Sequence, residues 1–245
     1  MPNGIRLQPR DITLLRFLSL LRILDRRQIE RIAGFTSISR VNVRLGKLRK
    51  AGLIVRYFTG SISGSRRSLY ALTKSGSVAV ETPFVPLKWK PDSVLLGNAF
   101  VAHQLALNDI YIEGALGRGI AWKIFTQPLS ASIPLIPDAF IETEARALFV
   151  ELDLGTEQLT VWTRKTSLYL RLATSGAFKE FTSHSQFAVL VITSNESRMQ
   201  TLRRHISKQT QKLFWFASLD IIMRQGFWSS VWLRPHGEGQ SQPGG

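Results

Sequence analysis

Three carboxylates in the second half of the chain have the types and spacing that metal chemistry needs. Glu151 and Asp153 stand two positions apart in the run Phe149-Val-Glu-Leu-Asp-Leu, so they project from the same face of a predicted strand. Asp138 lies at the end of a preceding predicted strand. Carboxylates that converge at a sheet edge suit Mg²⁺ or Mn²⁺, and in nucleases such an ion orients the attacking water. Asp138, Glu151 and Asp153 are therefore candidate catalytic residues and metal ligands.

Lys165 is a fourth candidate catalytic residue. It lies on a predicted helix that follows these strands, where its ammonium group would help to polarise an attacked phosphate. The alternative is structural, with the carboxylates capping helices at strand ends and pairing with Lys165 or Arg164. The residue types alone leave both interpretations open.

A second set of side chains, in the first 80 residues, has the chemistry of DNA recognition. Arg binds guanine bidentately and Asn binds adenine. Both types recur along a segment in which Val41, Leu45 and Leu48 repeat at helical spacing. The predicted DNA-binding residues are Ser39, Arg40, Asn42, Arg44, Lys47, Arg49, Lys50, Arg56, Arg66 and Arg67.

Three predicted helices and a hairpin position these residues. The first helix follows Arg10, and the second is capped by Asp25 and ends at Gly34. The third begins at Ser37 or Ser39 and ends near Ala51. Two β-rich runs follow, joined by a Gly- and Ser-rich loop at residues 59–65. This order is typical of a winged helix-turn-helix whose third helix enters the major groove.

The charge of the chain is concentrated at one end. Its net charge is +15; residues 1–80 contain 16 Lys and Arg and three acids, a net of +13, whereas residues 81–245 contain 16 and 14, a net of +2. A cationic domain attracts polyanions because each neutralised phosphate releases a condensed counterion. Double-stranded DNA is the expected partner, and a solvated basic surface or an anionic membrane is the alternative.

Composition excludes several other classes. The chain has no cysteine, which excludes disulfides, thiolate zinc sites and cysteine nucleophiles. It has no apolar run near the roughly 20 residues of a membrane span, and its first residues lack the apolar stretch of a secretory signal. We expect a cytoplasmic protein with no membrane partner.

The remaining residues predict a second domain. Residues 81–97 contain three prolines, which forbid a continuous helix and predict a linker after a DNA-binding domain at 1–80. Residues 98–234 show the order helix, strand, strand, strand, helix, strand, which predicts a mixed sheet flanked by helices and an α+β fold overall. The glycine-rich residues 235–245 are predicted to be a disordered tail.

Taken together, these motifs resemble the replication-relaxation family over most of the chain. The most specific element is Glu151-Leu-Asp-Leu-Gly-Thr-Glu157. The other matching segments are Arg49-Lys-Ala-Gly-Leu-Ile and Tyr70-Ala-Leu-Thr-Lys-Ser-Gly within 13–76, His103-Gln-Leu-Ala-Leu-Asn-Asp, Pro137-Asp, Lys165 with Tyr169, and Phe214-Trp-Phe.

The resemblance implies a winged helix joined to a restriction-endonuclease-like core, acting in the replication, transfer or transcriptional control of a plasmid or other mobile element. It also implies candidate protein partners, namely a second copy of the chain or replication and transfer proteins. Endonuclease-like cores carry Pro-Asp and later an acid, one spacer and a lysine. Here Asp138 and Glu151 match, but Asp153 holds the lysine position.

That departure leaves two hypotheses for the second domain. The favoured one is a core that keeps its fold, does not cleave DNA and needs no cofactor. The alternative is a Mg²⁺- or Mn²⁺-dependent nuclease or nickase that the winged helix targets, in which Lys165 substitutes for the missing lysine.

Overall fold

The computed structural model describes residues 5–60, 66–237 and 239–243. Within these ranges the fold is mixed α+β, with eight α-helices and two sheets. The chain divides into two compact units, Met1–Ile112 and Glu113–Gly245. We call them the first and second units.

The first unit contains helices around a small antiparallel sheet. Its elements are α1 Pro9–Leu21, β1 Ile23–Asp25, α2 Arg26–Ala33, α3 Ile38–Lys50, β2 Ile54–Gly60, β3 Arg66–Leu72, α4 Lys74–Ala79 and α5 Ala99–Gly114, of which the last two residues belong to the second unit. The strand order is β1-β3-β2, and β2 and β3 form the predicted hairpin. Residues 61–65 of the predicted loop lie outside the described residues. This arrangement is compatible with a winged helix-turn-helix.

Local sequence signals set the ends of α2 and α3. The Asp25 carboxylate accepts a hydrogen bond of 2.9 Å from the Gln28 amide and caps α2. Gly34 ends α2 with a φ of 60°, a left-handed conformation that glycine adopts without a steric penalty. Ser37, rather than Ser39, caps α3 and accepts from the Arg40 amide.

Residues 81–97 differ from the predicted linker because they pack on the first unit. The Leu95 amide donates to the Phe58 carbonyl of β2 at 2.7 Å, and the Asp92 amide donates to the Arg56 carbonyl at 2.7 Å. The Trp89 ring lies 5.7 Å from the Tyr57 ring. The prolines exclude a continuous helix here, and Trp89 and Leu95 attach the segment to the sheet.

Helix α5 also packs within the first unit, although the sequence assigned its residues to the second domain. The buried Asn108 side chain donates to the Ile23 carbonyl at 2.6 Å. Gln28 of α2 donates to the Leu105 carbonyl at 2.8 Å and to Asp109 at 2.7 Å. Because buried polar groups need partners, these bonds fix α5 on β1 and α2.

The second unit is built on a larger mixed sheet. Its strands are β4 Ala121–Lys123, β5 Ala139–Glu142, β6 Ala147–Asp153, β7 Phe187–Thr193, β8 Phe214–Ser218, β9 Trp232–Leu233 and β10 Gln240–Ser241, in the order β10-β9-β8-β7-β6-β5-β4. Its helices are α6 Leu159–Ser175, a 3₁₀ turn Ala177–Glu180, α7 Glu196–Ile206 and α8 Leu219–Gln225.

The centre of this sheet is parallel and fully buried. β6 pairs in parallel with β7, and β7 with β8, while the flanking strands are antiparallel. Such strands read as continuous apolar runs because both faces are covered. Trp162 and Tyr169 of α6, Leu202 of α7 and Phe149 of β6 belong to one core cluster, so α6 and α7 cover the same face.

Three features of the second unit differ from the sequence prediction or add to it. The predicted order of elements contained neither the helix α8 nor the short strand β9. Gln240–Ser241 pair with β9, although 235–245 were predicted to be disordered.

Of the helices in the described ranges, none has the length and apolar character of a membrane span.

Candidate functional site

Helix α3 carries most of the predicted DNA-binding residues. Val41, Leu45 and Leu48 are buried on one side of the helix. The predicted residues exposed on its other faces are Ser39, Arg40, Asn42, Lys47, Arg49 and Lys50. The helix therefore has the apolar seam and the polar outer side that the sequence predicted.

Two of these exposed side chains have neutral or weak local contacts. Arg40 donates to the Thr36 hydroxyl at 3.2 Å, and Asn42 accepts from Arg26 at 3.5 Å. Within the described ranges no carboxylate pairs with Arg40, Lys47 or Lys50. Their charges remain available to an external anion.

Arg44 is held inside the first unit. Its guanidinium binds both oxygens of Asp11, which is fully buried, and donates to the Arg6 carbonyl at 3.0 Å. The hydrogen bond that Arg44 donates to Asp11 raises the pKa of Arg44 above its ordinary value. This geometry makes Arg44 a link between α1 and α3, and three of its five N–H donors bond to protein groups.

Three further candidates are also paired with acids. Arg56 donates to Asp92 at 2.7 Å, and Arg49 lies 3.5 Å from the same carboxylate. Arg67 pairs with Asp25, the buried cap of α2. Arg66, the remaining candidate, is exposed at the start of β3. The ten predicted residues thus separate into arginines that pair with acids and brace the unit, and polar groups around α3 and at Arg66 that have no carboxylate partner within the described ranges.

Two cationic residues beside α3 were missed by sequence reasoning. Arg10 lines a groove with Arg40 and Lys47, and Arg6 lines an adjoining groove with Lys47 and Lys50. The Arg10 guanidinium lies 5.2 Å from the Phe35 ring centre. Their basic type near the start of α1 was the available signal, but which helix they face depends on tertiary packing.

In the second unit, strand β6 and helix α6 bring Glu151 and Lys165 together. The Lys165 ammonium donates to Glu151 at 2.9 Å and to Glu157 at 2.8 Å. Tyr169, one turn further along α6, donates its hydroxyl to the other Glu151 oxygen at 2.6 Å. Lys165 of the helix α6 therefore pairs with Glu151 of the strand β6, a contact that both the catalytic and the structural interpretation of these residues include.

Burial controls the protonation of this cluster. Glu151 is 1% exposed, and burial raises its pKa to about 7 against the opposing charge of Lys165, with a further rise from Asp138. Burial alone lowers the pKa of Lys165, but the charges of Glu151 and Glu157 raise it above the ordinary value. Burial, followed by the charge of Glu151, raises the pKa of Tyr169.

Asp153 has different partners. One of its oxygens accepts from Trp162 at 2.6 Å and from Arg198 at 2.7 Å, and the other accepts from the Gly155 amide. Asp153 is 1% exposed, so protein donors occupy the carboxylate. It therefore ties β6 to α6 and α7.

The donor set does not fit the predicted three-carboxylate metal site. Asp138 accepts from the Leu152 amide at 2.7 Å and is half-buried near Glu151, but Asp153 has its own donors. Among the residues described, no group of three or more His, Asp or Glu side chains is arranged to hold a metal ion. Asp138 and Glu151 are brought together without Asp153.

The fold and these sites define a two-unit α+β protein with an exposed basic helix in one unit and a buried Lys-Glu pair on a mixed sheet in the other. The chain belongs to the replication-relaxation family, whose model matches residues 15–185. That match spans α3, Glu151, Lys165 and Tyr169, and it confirms the resemblance inferred from the sequence. Searches of curated proteins and of solved structures returned no match.

Proposed function

We propose that this protein binds double-stranded DNA through the first unit, as a winged helix in which α3 is the recognition helix. The observation that carries the proposal is the exposed face of α3. Arg40, Lys47 and Lys50 lie there without a carboxylate partner in the described ranges, opposite a buried apolar seam. A helix of this kind presents donors to a groove while its other side is held by the core.

The charge of the whole first unit supports a polyanionic partner. Residues 1–112 contain 18 Lys and Arg and six acids, a net of +12, whereas residues 113–245 contain 14 and 11, a net of +3. Asp11 is buried beneath Arg44, and Asp25 is paired with Arg67. Few acids therefore oppose the field around α3, and DNA binding gains from counterion release.

Individual residues have distinct roles in this proposal. Asn42 and Arg40 are the base-reading candidates, while Lys47, Lys50 and Arg66 contact phosphates. Arg6 and Arg10 extend the phosphate-binding surface along the grooves beside α3. Arg44, Arg49, Arg56 and Arg67 stabilise the unit through Asp11, Asp92 and Asp25.

The family description associates the chain with replication. We propose that the protein belongs to a plasmid or other mobile element and acts in its replication, transfer or transcriptional control. Its protein partners would be a second copy of the chain or replication and transfer proteins. The second unit is proposed to be a nuclease-like fold that does not cleave, because Asp153 is occupied by Trp162 and Arg198.

Fluorescence anisotropy of the full chain with a short labelled duplex tests the DNA-binding proposal. Lys47→Ala with Lys50→Ala removes two exposed charges from α3, and we expect affinity at low salt to fall by about tenfold or more. The matched control is Lys179→Ala with Lys208→Ala, which removes two exposed charges from the second unit. Equal affinities in the two double variants would reject the interface.

One observation favours the alternative of a metal-dependent nuclease or nickase. Lys165 lies 2.9 Å from Glu151, so a cation does reach the acid beside Asp138. The test is incubation of supercoiled plasmid with Mg²⁺ or Mn²⁺. Nicking that is lost in both Asp138→Ala and Glu151→Ala proteins would establish the nuclease, whereas intact plasmid supports the non-cleaving core.

A further inference from the structure

The second unit contains a cationic cavity that the proposed DNA interface does not use. Its volume is about 840 Å³, and it lies at the amino-terminal ends of β6, β7 and β8, whereas Glu151 and Asp153 lie in the carboxyl-terminal half of β6. The charged or titratable residues that line it are Arg146, His184, Lys212 and Arg234. No Asp or Glu is among the described residues of its lining.

Two guanidinium groups in this cavity share one aromatic ring. Arg234 lies 4.1 Å and Arg146 lies 5.1 Å from the centre of the Trp215 ring. Burial, and then the charge of Arg146, lower the pKa of Arg234. The cation–π contacts orient both side chains, but they do not neutralise them, and no carboxylate in the described ranges pairs with either one.

Two further features concern residues that line the cavity: a buried donor on Trp215 and the bonds that hold the segment of Arg234. Trp215 is 2% exposed, and its ring nitrogen Nε1 has no hydrogen-bond partner among the described residues. Arg203 donates to the carbonyls of Arg234 and Gly237, which holds the segment that carries Arg234. Buried donors without partners are rare in proteins, and two adjacent like charges repel each other. An anion would relieve the repulsion.

From this geometry we infer that the cavity is a binding site for a phosphate-bearing ligand. Guanidinium forks match the oxygens of phosphate in geometry and charge, and the cavity volume is in the range of small-molecule sites. Lys212, which is exposed at the rim, adds a third cation. The phosphate belongs to a free nucleotide or to the backbone of DNA, because both present the same oxygens.

Calorimetry and anisotropy on the full chain separate these two sources. The probes are inorganic pyrophosphate, ADP and a short duplex. The test variant is Arg146→Ala with Arg234→Ala, and the control is Arg204→Ala with Lys208→Ala, two exposed cations outside the cavity. Arg146→Gln alone, at a half-buried position, is a second test variant in case the double variant does not fold.

Three outcomes are informative. Pyrophosphate or ADP binding that weakens by about tenfold in the double variant, and by a smaller factor in Arg146→Gln, supports a free nucleotide. A backbone phosphate of DNA is supported if duplex affinity falls by about tenfold in the double cavity variant but not in the control, and if pyrophosphate and ADP give no heat of binding. If the cavity variants and the control bind every probe equally, the inference is overturned.

Discussion

Arg44 illustrates how a residue whose type suits base reading also holds two helices of the fold together. Its type and its position on α3 predicted a DNA contact, but its guanidinium is committed to the buried Asp11 carboxylate. Removing one partner of a buried ion pair leaves an uncompensated charge in the interior, which costs more than the loss of the pair itself.

We therefore expect Arg44→Ala to lower the free energy of unfolding by about 3 kcal/mol. Urea denaturation measures the change. Arg40→Ala, at an exposed position on the same helix, is the control and should change stability by less than about 0.5 kcal/mol. Adding Asp11→Asn to Arg44→Ala should recover part of the lost stability. If Arg44→Ala were as stable as Arg40→Ala, this structural role of Arg44 would be contradicted.

Glu151 should make the stability of the protein depend on pH, because burial raises its pKa from 4.5 to about 7. The folded state binds this proton more tightly than the unfolded state, so the contribution of Glu151 to stability is complete below about pH 4.5 and is lost as the pH rises to about 7. The loss is expected to reach about 3 kcal/mol.

Unfolding measured between these pH values, in the wild type and in Glu151→Gln, checks the prediction. The variant has no titrating group at this position, so the stability difference between the two proteins should change across the interval in the direction just given. A difference that stays constant, or that favours the wild type more at higher pH, would show that burial does not raise the pKa of Glu151.

The residue types of the candidate sites were predictable from the sequence, but their partners were not. The spacing of Glu151 and Asp153 correctly placed both on the face that contacts α6. The sequence did not show that Arg198 donates a hydrogen bond to Asp153 from a different helix than the one that carries Trp162. Such pairs join residues far apart in the chain, and only tertiary structure determines them.

Among the secondary-structure elements, helix caps and apolar periodicity predicted the helices well, whereas prolines did not predict whether residues 81–97 are a free linker. Asp25, Gly34 and the repeat of Val41, Leu45 and Leu48 predicted α2 and α3 closely. The prolines of residues 81–97 correctly excluded a helix, but they do not distinguish a free linker from an extended segment bonded to a sheet. Trp89 and Leu95 decide that question through their contacts with the first unit.

We expect Trp89→Ala to destabilise the first unit by about 2 kcal/mol, because its half-buried ring packs between Tyr57 and Phe100. Lys88→Ala, at the exposed neighbouring position, should stay within about 0.5 kcal/mol of the wild type. Thermal or urea unfolding distinguishes them. If the Trp89 variant were as stable as the Lys88 variant, residues 81–97 would behave as a linker in solution.

At the scale of the whole molecule, the sequence predicted the mixed α+β class and two regions, but the structure divides the chain at Ile112. The difference arises from α5, whose buried Asn108 is bonded to β1 and whose Leu105 and Asp109 are bonded to α2. Apolar periodicity predicted that helix but does not state which sheet it covers. The charge asymmetry persists under the new division, with +12 in residues 1–112 and +3 in residues 113–245.

DNA binding through α3 should appear in the salt dependence of affinity. Each phosphate contact contributes about 0.9 to the slope of the logarithm of the association constant against the logarithm of salt concentration. We predict that Arg40→Ala with Lys47→Ala and Lys50→Ala reduces this slope by about 2, because Lys47 and Lys50 are the proposed phosphate contacts of α3. The control Lys179→Ala with Arg204→Ala and Lys208→Ala removes the same charge from the second unit and should leave the slope unchanged. A slope that is the same in the α3 variant and the wild type would contradict DNA binding through α3.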